Sequence, residues 1–535
     1  MRLSFLSLLI LSLLLGACTA SKTLDDSKEL TVQTLRVPVL VEKSENKLLE
    51  FNIQSDSVAA LNAVKISFAG ATPLGQLKEL TLLYHDGEQK QAFGKAVVNN
   101  QAIIINGTQA LKNGDNKFSL SLSVNSDISI SEKIFIKNIE CHFDNEKMVS
   151  QSFTDDNATW RLGNVTRAAG QDNCDTYRIP GLVTTSAGTL IAVYDNRYNN
   201  SKDLQEDIDI GMSRSTDGGQ TWQPMQVIMD MGEWGGRSER LNGITDPSVL
   251  YDHTTNTLWV AALWLSGYDH NQMAWWASQP GMKPDVTGQF MIAKSTDDGL
   301  TWSDPINITE QIKDPAWQLL LQGPGRGITL EDGTLVFPAQ FKADIGEKAL
   351  DGGQYTCHST IVYSKDQGQT WTIGTGAKSN TTEAQVATLS DGTLMLNMRD
   401  DRNRKDKSET NGRAVATTKD LGKTWQIHPS SNSALPEPNC MAGFISAPVK
   451  IDGKTQHVLF FSNPNNKKHR TNMTIKASLD DGMTWPYELE LNQTGGFGYS
   501  CLTMVDDNTV GILYEGVKEL FFQKVPVTDI INDIK

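Results

Sequence analysis

Three arginines stand far apart in this chain, each in a distinctive setting. Arg178 lies in Tyr177-Arg178-Ile179-Pro180-Gly181-Leu182, Arg399 in Leu396-Asn397-Met398-Arg399-Asp400, and Arg470 in Lys468-His469-Arg470-Thr471-Asn472. A guanidinium stays ionised and takes a planar carboxylate through two parallel N–H bonds. Three of them gathered at one place would seat an organic anion. Groups able to move protons lie in between. Asp203 follows Arg197 by six residues, whereas Asp207 and Asp209 alternate with Ile208 and Ile210 as one face of a strand would. These three aspartates compete for the role of general acid. Glu383 precedes Arg399 by sixteen residues, with Ser390-Asp391-Gly392 as a turn between them. A strand, a turn and a returning strand would bring both to the same end of one sheet. Tyr499 and Glu515 have the same spacing. A tyrosine, with an ordinary pKa of about 10, becomes a nucleophile only beside a base.

Metal and nucleotide chemistry has no comparable constellation. Besides Cys18 there are five cysteines, an odd number without CxxC spacing, so neither a disulfide framework nor a zinc site is indicated. No HExxH or phosphate-binding loop occurs, and Gly323, Gly325 and Gly327 read GxGxG, which misses the dinucleotide pattern. No metal and no cofactor is expected.

The elements that would position these residues are announced by repeats. Five segments share one pattern: Ser215-Thr-Asp217-Gly-Gly219-Gln-Thr-Trp222, Ser295-Thr-Asp297-Asp-Gly299-Leu-Thr-Trp302, Ser364-Lys-Asp366-Gln-Gly368-Gln-Thr-Trp371, Thr418-Lys-Asp420-Leu-Gly422-Lys-Thr-Trp425 and Ser478-Leu-Asp480-Asp-Gly482-Met-Thr-Trp485. Each reads as a hairpin turn in which Asp bonds local N–H groups and Gly supplies the positive φ. One such turn per roughly 60 residues suits a four-stranded blade, and residues 160–535 have room for six, one without the box. The box aspartates look catalytic, but a feature repeated in every blade cannot mark one active site. They are expected to be structural and to lie away from the chemistry.

These repeats are the Asp boxes of the sialidase family, and Tyr177-Arg178-Ile179-Pro180 resembles the signature that opens its propeller. The resemblance covers essentially all of 160–535, with motifs in the expected order. It implies exo-sialidase chemistry, in which the substrate carries a carboxylate on the carbon whose glycosidic bond breaks. Arg178, Arg399 and Arg470 then form the carboxylate-binding triad. Tyr499 is the nucleophile, because a carboxylate in that role would be repelled by the substrate's own, and Glu383 is its base. Asp203 resembles the family's acid/base. Arg197 and Asp246 resemble the pair at the sugar's 4-hydroxyl, and Glu515 the carboxylate that orients Arg178. Gln322 is a further candidate for lining the pocket, and Trp264, Trp275 and Trp276 for flanking the acetamido group or the leaving sugar, with blade packing as the alternative. A trans-sialidase or an anhydro-forming sialidase would share these residues, and a non-catalytic sialic-acid-binding propeller is the remaining alternative.

The 535 residues carry a net charge of −15, which argues against a nucleic-acid partner but not against a locally basic pocket. Hydrophobic residues at 39% and charged residues at 21% suit a globular chain, and 43 Gly with 12 Trp favour β architecture. The fold class expected is all-β, a six-bladed propeller preceded by a small β-sandwich. Met1-Arg2 and the apolar run Leu3 to Leu15 read as a signal peptide, and Leu15-Gly16-Ala17-Cys18 resembles a lipobox. That resemblance implies lipidation at Cys18, a membrane anchor, and a place on the periplasmic or outer face of the envelope. Residues 19–29 would be a tether and 30–155 a β-sandwich, either sugar-binding or a spacer. Phe118, Leu120, Leu122 and Val124 alternate with serines as in a half-buried strand, and Asp86-Gly87, Asn106-Gly107 and Asn113-Gly114 read as turns. Sialylated glycans are the expected partners, and the chain is expected to act as a monomer.

Overall fold

The computed structural model describes residues 22–23, 28–56, 59–154, 158–204, 206–266 and 274–531; the lipobox around Cys18 lies outside them. No helix among the described residues is long and apolar enough to cross a membrane. The chain divides into two compact units. One holds residues 47–124 and 134–159 together with the chain before 36, and the other holds 36–46, 125–133 and 160–535.

The smaller unit is a sandwich of two five-stranded sheets. One has the order Lys28–Thr34, Asn46–Ser55, Gly114–Val124, Leu77–Asp86, Gln89–Val97; the other runs Lys22–Thr23, Met148–Ser152, Lys133–Phe143, Ala60–Phe68, Ala102–Ala110. The first strand of the first sheet takes in Lys28 and Glu29, which the sequence reading assigned to the tether. Leu61, Val64, Ile66, Leu80, Leu82, Ile103, Ile105, Leu120 and Leu122 are all buried, as β-branched and aliphatic side chains on facing sheets must be. Two expectations fail here. Ser119 and Ser121 are buried as well, because their strand is central and His85 Nε2 lies 2.8 Å from Ser119 Oγ. Asn106-Gly107 is no turn but lies within Ala102–Ala110, at a β-bulge of that strand. Gly107 is needed there because a Cβ would stand 2.3 Å from the Phe93 carbonyl oxygen.

The larger unit contains six four-stranded antiparallel sheets in chain order. Their first strands are Thr176–Thr184, Asn242–Asp252, Leu319–Gln322, Thr381–Thr388, Gly443–Ile451 and Ser500–Asp506. Each first strand packs beside that of the next sheet, and the sixth beside the first, so the ring closes as a six-bladed propeller. At the closing seam Thr184 Oγ1 lies 3.0 Å from Thr503 Oγ1. Apolar clusters fill the gaps between successive blades; Val183, Ile191 and Val193 of blade 1, for example, meet Val249, Leu258 and Val260 of blade 2. Blade 6 takes its fourth strand, Thr159–Arg167, from the chain that precedes blade 1. Blade 6 therefore has no turn from third to fourth strand, and that is the turn the Asp box builds in the other five. The GxGxG stretch interrupts the first strand of blade 3. A Cβ on Gly323 would stand 2.5 Å from the Ala384 carbonyl oxygen, so close contact with blade 4 explains that glycine.

The boxes repeat one hydrogen-bond set. In blade 1, Asp217 accepts from Thr221 N at 3.0 Å and Thr221 Oγ1 at 2.6 Å, while Ser215 Oγ accepts from Gly219 N at 2.8 Å. Asp480 and Ser478 do the same in blade 5, at 2.9, 2.7 and 2.9 Å. Register fixes where these turns lie. Ser215 pairs with Leu190, and Arg197, at the other end of that strand, pairs with Ile208. The box and Arg197 thus occupy opposite ends of the blade.

Candidate active site

All the predicted site residues of the propeller gather at one end of it. They stand in the first halves of first strands or just before them (Arg178, Asp246, Glu383, Tyr499), at the end of the short first strand of blade 3 (Gln322), where second strands end (Arg197, Arg399, Glu515), or on loops at that end (Asp203, Arg470). Antiparallel pairing makes these positions neighbours: Arg178 pairs with Asp195, and Glu515 N donates to the Tyr499 carbonyl at 3.0 Å. Register shifts interrupt three first strands here, at Arg178/Gly181, Thr245/Ser248 and Thr381/Ala384. Such bulges re-aim side chains that a regular pleat would send into the blade interface. Ile179 and Asp246 take positive φ, 58° and 59°, at two of them.

At the floor, the Tyr499 hydroxyl is hydrogen-bonded to Glu383 Oε1. Arg399 Nη1 donates to Glu383 Oε2 at 2.6 Å and to the Tyr499 hydroxyl at 3.2 Å. The Arg178 and Arg470 guanidinium carbons lie 5.0 and 5.6 Å from the centre of the Tyr499 ring. Three cations thus surround one phenol. Glu515 is buried and divides its carboxylate three ways: Oε1 accepts from Arg178 Nε at 3.0 Å and Ile179 N at 2.9 Å, and Oε2 from Tyr499 N at 2.8 Å. It ties the first strand of blade 1 to the Tyr499 segment of blade 6. Asp203 Oδ1 sits 2.9 Å from Arg178 Nη1 and 2.5 Å from Arg197 Nη1. A cavity of about 330 Å³ opens above, lined by Ile179, Asp203, Asp246, Glu383, Arg399 and Tyr499 among others.

Comparison with known proteins shows the family. The family described as BNR repeat-like domain matches residues 188–512, and that described as N-terminal domain of BNR-repeat neuraminidase matches 27–147. A sialidase of Bacteroides fragilis is 43% identical over 94% of this chain and 95% of its own. The chain belongs to the BNR-repeat sialidase family. Among solved structures, the Hadza microbial sialidase Hz136 superimposes with a TM-score of 0.84 and 41% identity, over 94% of this chain and all of that one. A Micromonospora viridifaciens sialidase is 33% identical over 65% of this chain and half of its own.

Electrostatics in this sialidase set Asp203 and Tyr499 apart. Burial acts to raise Asp203, but Arg197 and Arg178 outweigh it and pull the carboxyl down to about 2. Burial pushes the Tyr499 phenol well above its ordinary value, and the Glu383 carboxylate adds to this, while Arg399 and Arg470 act the other way. Asp246 is raised by burial and by the negative charges of Asp195, Glu383 and Asp203. Asp207 and Asp209 do not line the cavity; Asp209 accepts from the Tyr198 hydroxyl at 2.9 Å, and burial first, then Asp230, raises it to about 7. Of the three tryptophans, Trp275 and Trp276 line the cavity. Trp264 does not: it is fully buried in the core between blades 1 and 2, edge-on to Trp234 at 4.5 Å. Gln322, expected to line the pocket, does not: it is fully buried, and its amide donates to the Asp246 carbonyl.

Sequence reasoning missed Asp195, Phe497 and Asn439. Asp195 is buried and accepts from Arg197 at 2.7 Å, Thr245 Oγ1 at 2.7 Å and Asp246 N at 2.9 Å, holding both residues of the expected 4-hydroxyl pair. Phe497 lies 4.5 Å under Arg178 and accepts from Arg470 Nη1 at 2.8 Å through its carbonyl. Asp195 carried a signal, standing two residues before Arg197 on one strand. The others lie far in sequence from the arginines they meet.

Proposed function

We propose that this sialidase releases terminal sialic acid with retention of configuration, through a covalent intermediate on Tyr499. The observation that carries the reading is the Tyr499–Glu383 hydrogen bond set among Arg178, Arg399 and Arg470. The arginines take the substrate carboxylate and hold the anomeric carbon over the phenol. Asp203 gives its proton to the glycosidic oxygen as the C–O bond breaks. The phenol oxygen bonds to the anomeric carbon while its proton passes to Glu383. Asp203 then takes a proton from water, whose oxygen displaces the phenolate, and Glu383 returns its proton to Tyr499. Arg197 and Asp246 meet the 4-hydroxyl side of the sugar. Sialylated glycans are the substrates, and no metal or organic cofactor takes part. NMR of the first-formed product tests this: the α-anomer of free sialic acid supports it, and the β-anomer or a 2,7-anhydro sugar overturns it.

The apolar run Leu3 to Leu15 and the lipobox-like Leu15-Gly16-Ala17-Cys18 support a lipid-anchored enzyme at the cell envelope, with the sandwich of residues 30–155 as a separate module. Cys18→Ser is expected to move the protein out of the membrane fraction, and persistent association would reject the anchor.

A further inference from the structure

Two of the three arginines are held by one residue. Arg399 Nη2 donates to the side-chain oxygen of Asn439 at 3.0 Å, and Arg470 Nη2 donates to the Asn439 main-chain oxygen at 3.2 Å. Asn439 is buried, and its amide nitrogen donates to the Asp400 carbonyl at 3.1 Å. Its φ of 63° lies in the left-handed region, which asparagine tolerates better than most residues and which turns side chain and carbonyl toward different arginines. The loop beneath it is anchored by a fully buried ion pair. Glu437 accepts from Arg413 Nη1 at 2.8 Å, Asn403 Nδ2 at 2.7 Å and Asp400 N at 2.9 Å, and Arg413 Nη1 also donates to the Cys440 carbonyl at 2.7 Å. The anchor therefore grips the chain on both sides of Asn439 and at Asp400, next to Arg399.

We infer that Asn439 is a positioning residue for carboxylate recognition: it fixes Arg399 and Arg470 relative to each other so that they meet the sialic-acid carboxylate as one preformed seat. Each Nη2 carries two N–H donors. Asn439 occupies one on each arginine and leaves the other for the ligand. Without it the two guanidiniums are free to re-orient, and the ligand must order them on binding. Substrate orientation over Tyr499 then suffers together with affinity. The inference rests on the arginine-triad reading above, and the test separates the two.

The test uses the full-length enzyme and the unsaturated 2,3-dehydro analogue of sialic acid, which has no leaving group, beside its C1 methyl ester. In the wild type the carboxylate form is expected to inhibit at least 100-fold better than the ester, about the effect of two charge-assisted hydrogen bonds. If it does not, the arginine-triad reading itself fails. Asn439→Gly keeps the left-handed backbone and removes only the side chain. It is expected to weaken the carboxylate form about tenfold and the ester little, so that the ratio of the two inhibition constants falls about tenfold. A merely structural loss would weaken both alike. An unchanged ratio beside a discriminating wild type overturns the role of Asn439 and leaves the triad standing. Asn439→Ala serves where the glycine variant does not accumulate. It removes the same acceptor from Arg399 without adding charge, so its ratio is expected to fall about tenfold as well. An unchanged ratio in that variant overturns the inference.

Discussion

Asp203 Oδ1 lies 2.9 Å from Nη1 of Arg178, so the group assigned as acid is ion-paired to an arginine assigned to the substrate carboxylate. The two assignments compete for one guanidinium. Arg178 and Arg197 together bring the Asp203 carboxyl down to about 2, against the effect of burial. A group so depressed is ionised at neutral pH and has no proton to donate. A substrate carboxylate that takes Arg178 cancels part of that positive charge and adds a negative one, and both changes raise the pKa of Asp203. Binding itself would then shift the acid toward its protonated form. Carbon NMR titration of labelled aspartate should find Asp203 near 2 in the free enzyme and at least one unit higher with the dehydro analogue bound. Arg178→Met should raise it in the free enzyme, because a depressing cation is gone. A bound-state value equal to or below the free one would separate Asp203 from the acid role.

The same residue makes a prediction in kinetics. Asp203→Ala should cut kcat/KM for a natural sialoside by about 100-fold or more, the usual worth of general acid catalysis. An aryl sialoside has a good leaving group and needs little protonation, so its loss should be much smaller. Equal losses on both substrates would reject Asp203. Asp209 would then be the alternative by pKa, since it is raised to about 7, although its carboxylate faces Tyr198.

The Asp boxes predict stability without activity. Asp217→Ala removes two hydrogen bonds to Thr221, and Asp480→Ala removes two to Thr484. Each should cost about 1–2 kcal/mol in unfolding free energy. With register placing the boxes at the far end of each blade from Arg197, kcat/KM well below the melting temperature should stay near wild type. A large loss of kcat/KM in a folded variant would return the boxes to the active site.

What was legible in the sequence was what is local. Each box closes within ten residues by bonds between its own Ser, Asp, Gly and Thr, so its pattern can be read without knowing its neighbours. Glu383 with Arg399 and Tyr499 with Glu515 were legible for a similar reason: one hairpin returns each pair to one end. The box missing from blade 6 was countable, but its cause, a strand supplied from residues 159–167, is a closure between chain ends that no local pattern records. Asn439 was invisible because it meets Arg399 and Arg470 from 40 and 31 residues away, and only a left-handed turn makes it reach both. Asn106-Gly107 misled because a glycine demanded by a close Phe93 carbonyl looks the same in sequence as one demanded by a turn.

The nucleophile is the most exposed assignment. A retaining mechanism requires a covalent intermediate, and Tyr499, hydrogen-bonded to Glu383, is the group placed to form it. A sialosyl fluoride with a second fluorine at C3 should trap that intermediate. The C3 fluorine destabilises the oxocarbenium-like transition states of both steps, while fluoride departs readily from the anomeric carbon, so formation outruns breakdown. Peptide mass mapping should put the adduct on Tyr499, within Gly495 to Leu502. Tyr499→Phe should abolish trapping yet still bind the dehydro analogue, since Arg178, Arg399 and Arg470 remain. Glu383→Gln should slow trapping strongly. Burial already holds the phenol well above its ordinary pKa, so without a carboxylate to receive the proton almost no phenolate forms near neutral pH. Glu383→Gln also takes from Arg399 the carboxylate it meets at 2.6 Å, so affinity for the dehydro analogue must be measured in the same variant. Slow trapping with affinity retained assigns Glu383 as the base. Slow trapping with affinity lost in proportion would make it only a support for Arg399, and an adduct on any residue other than Tyr499 would end the mechanism.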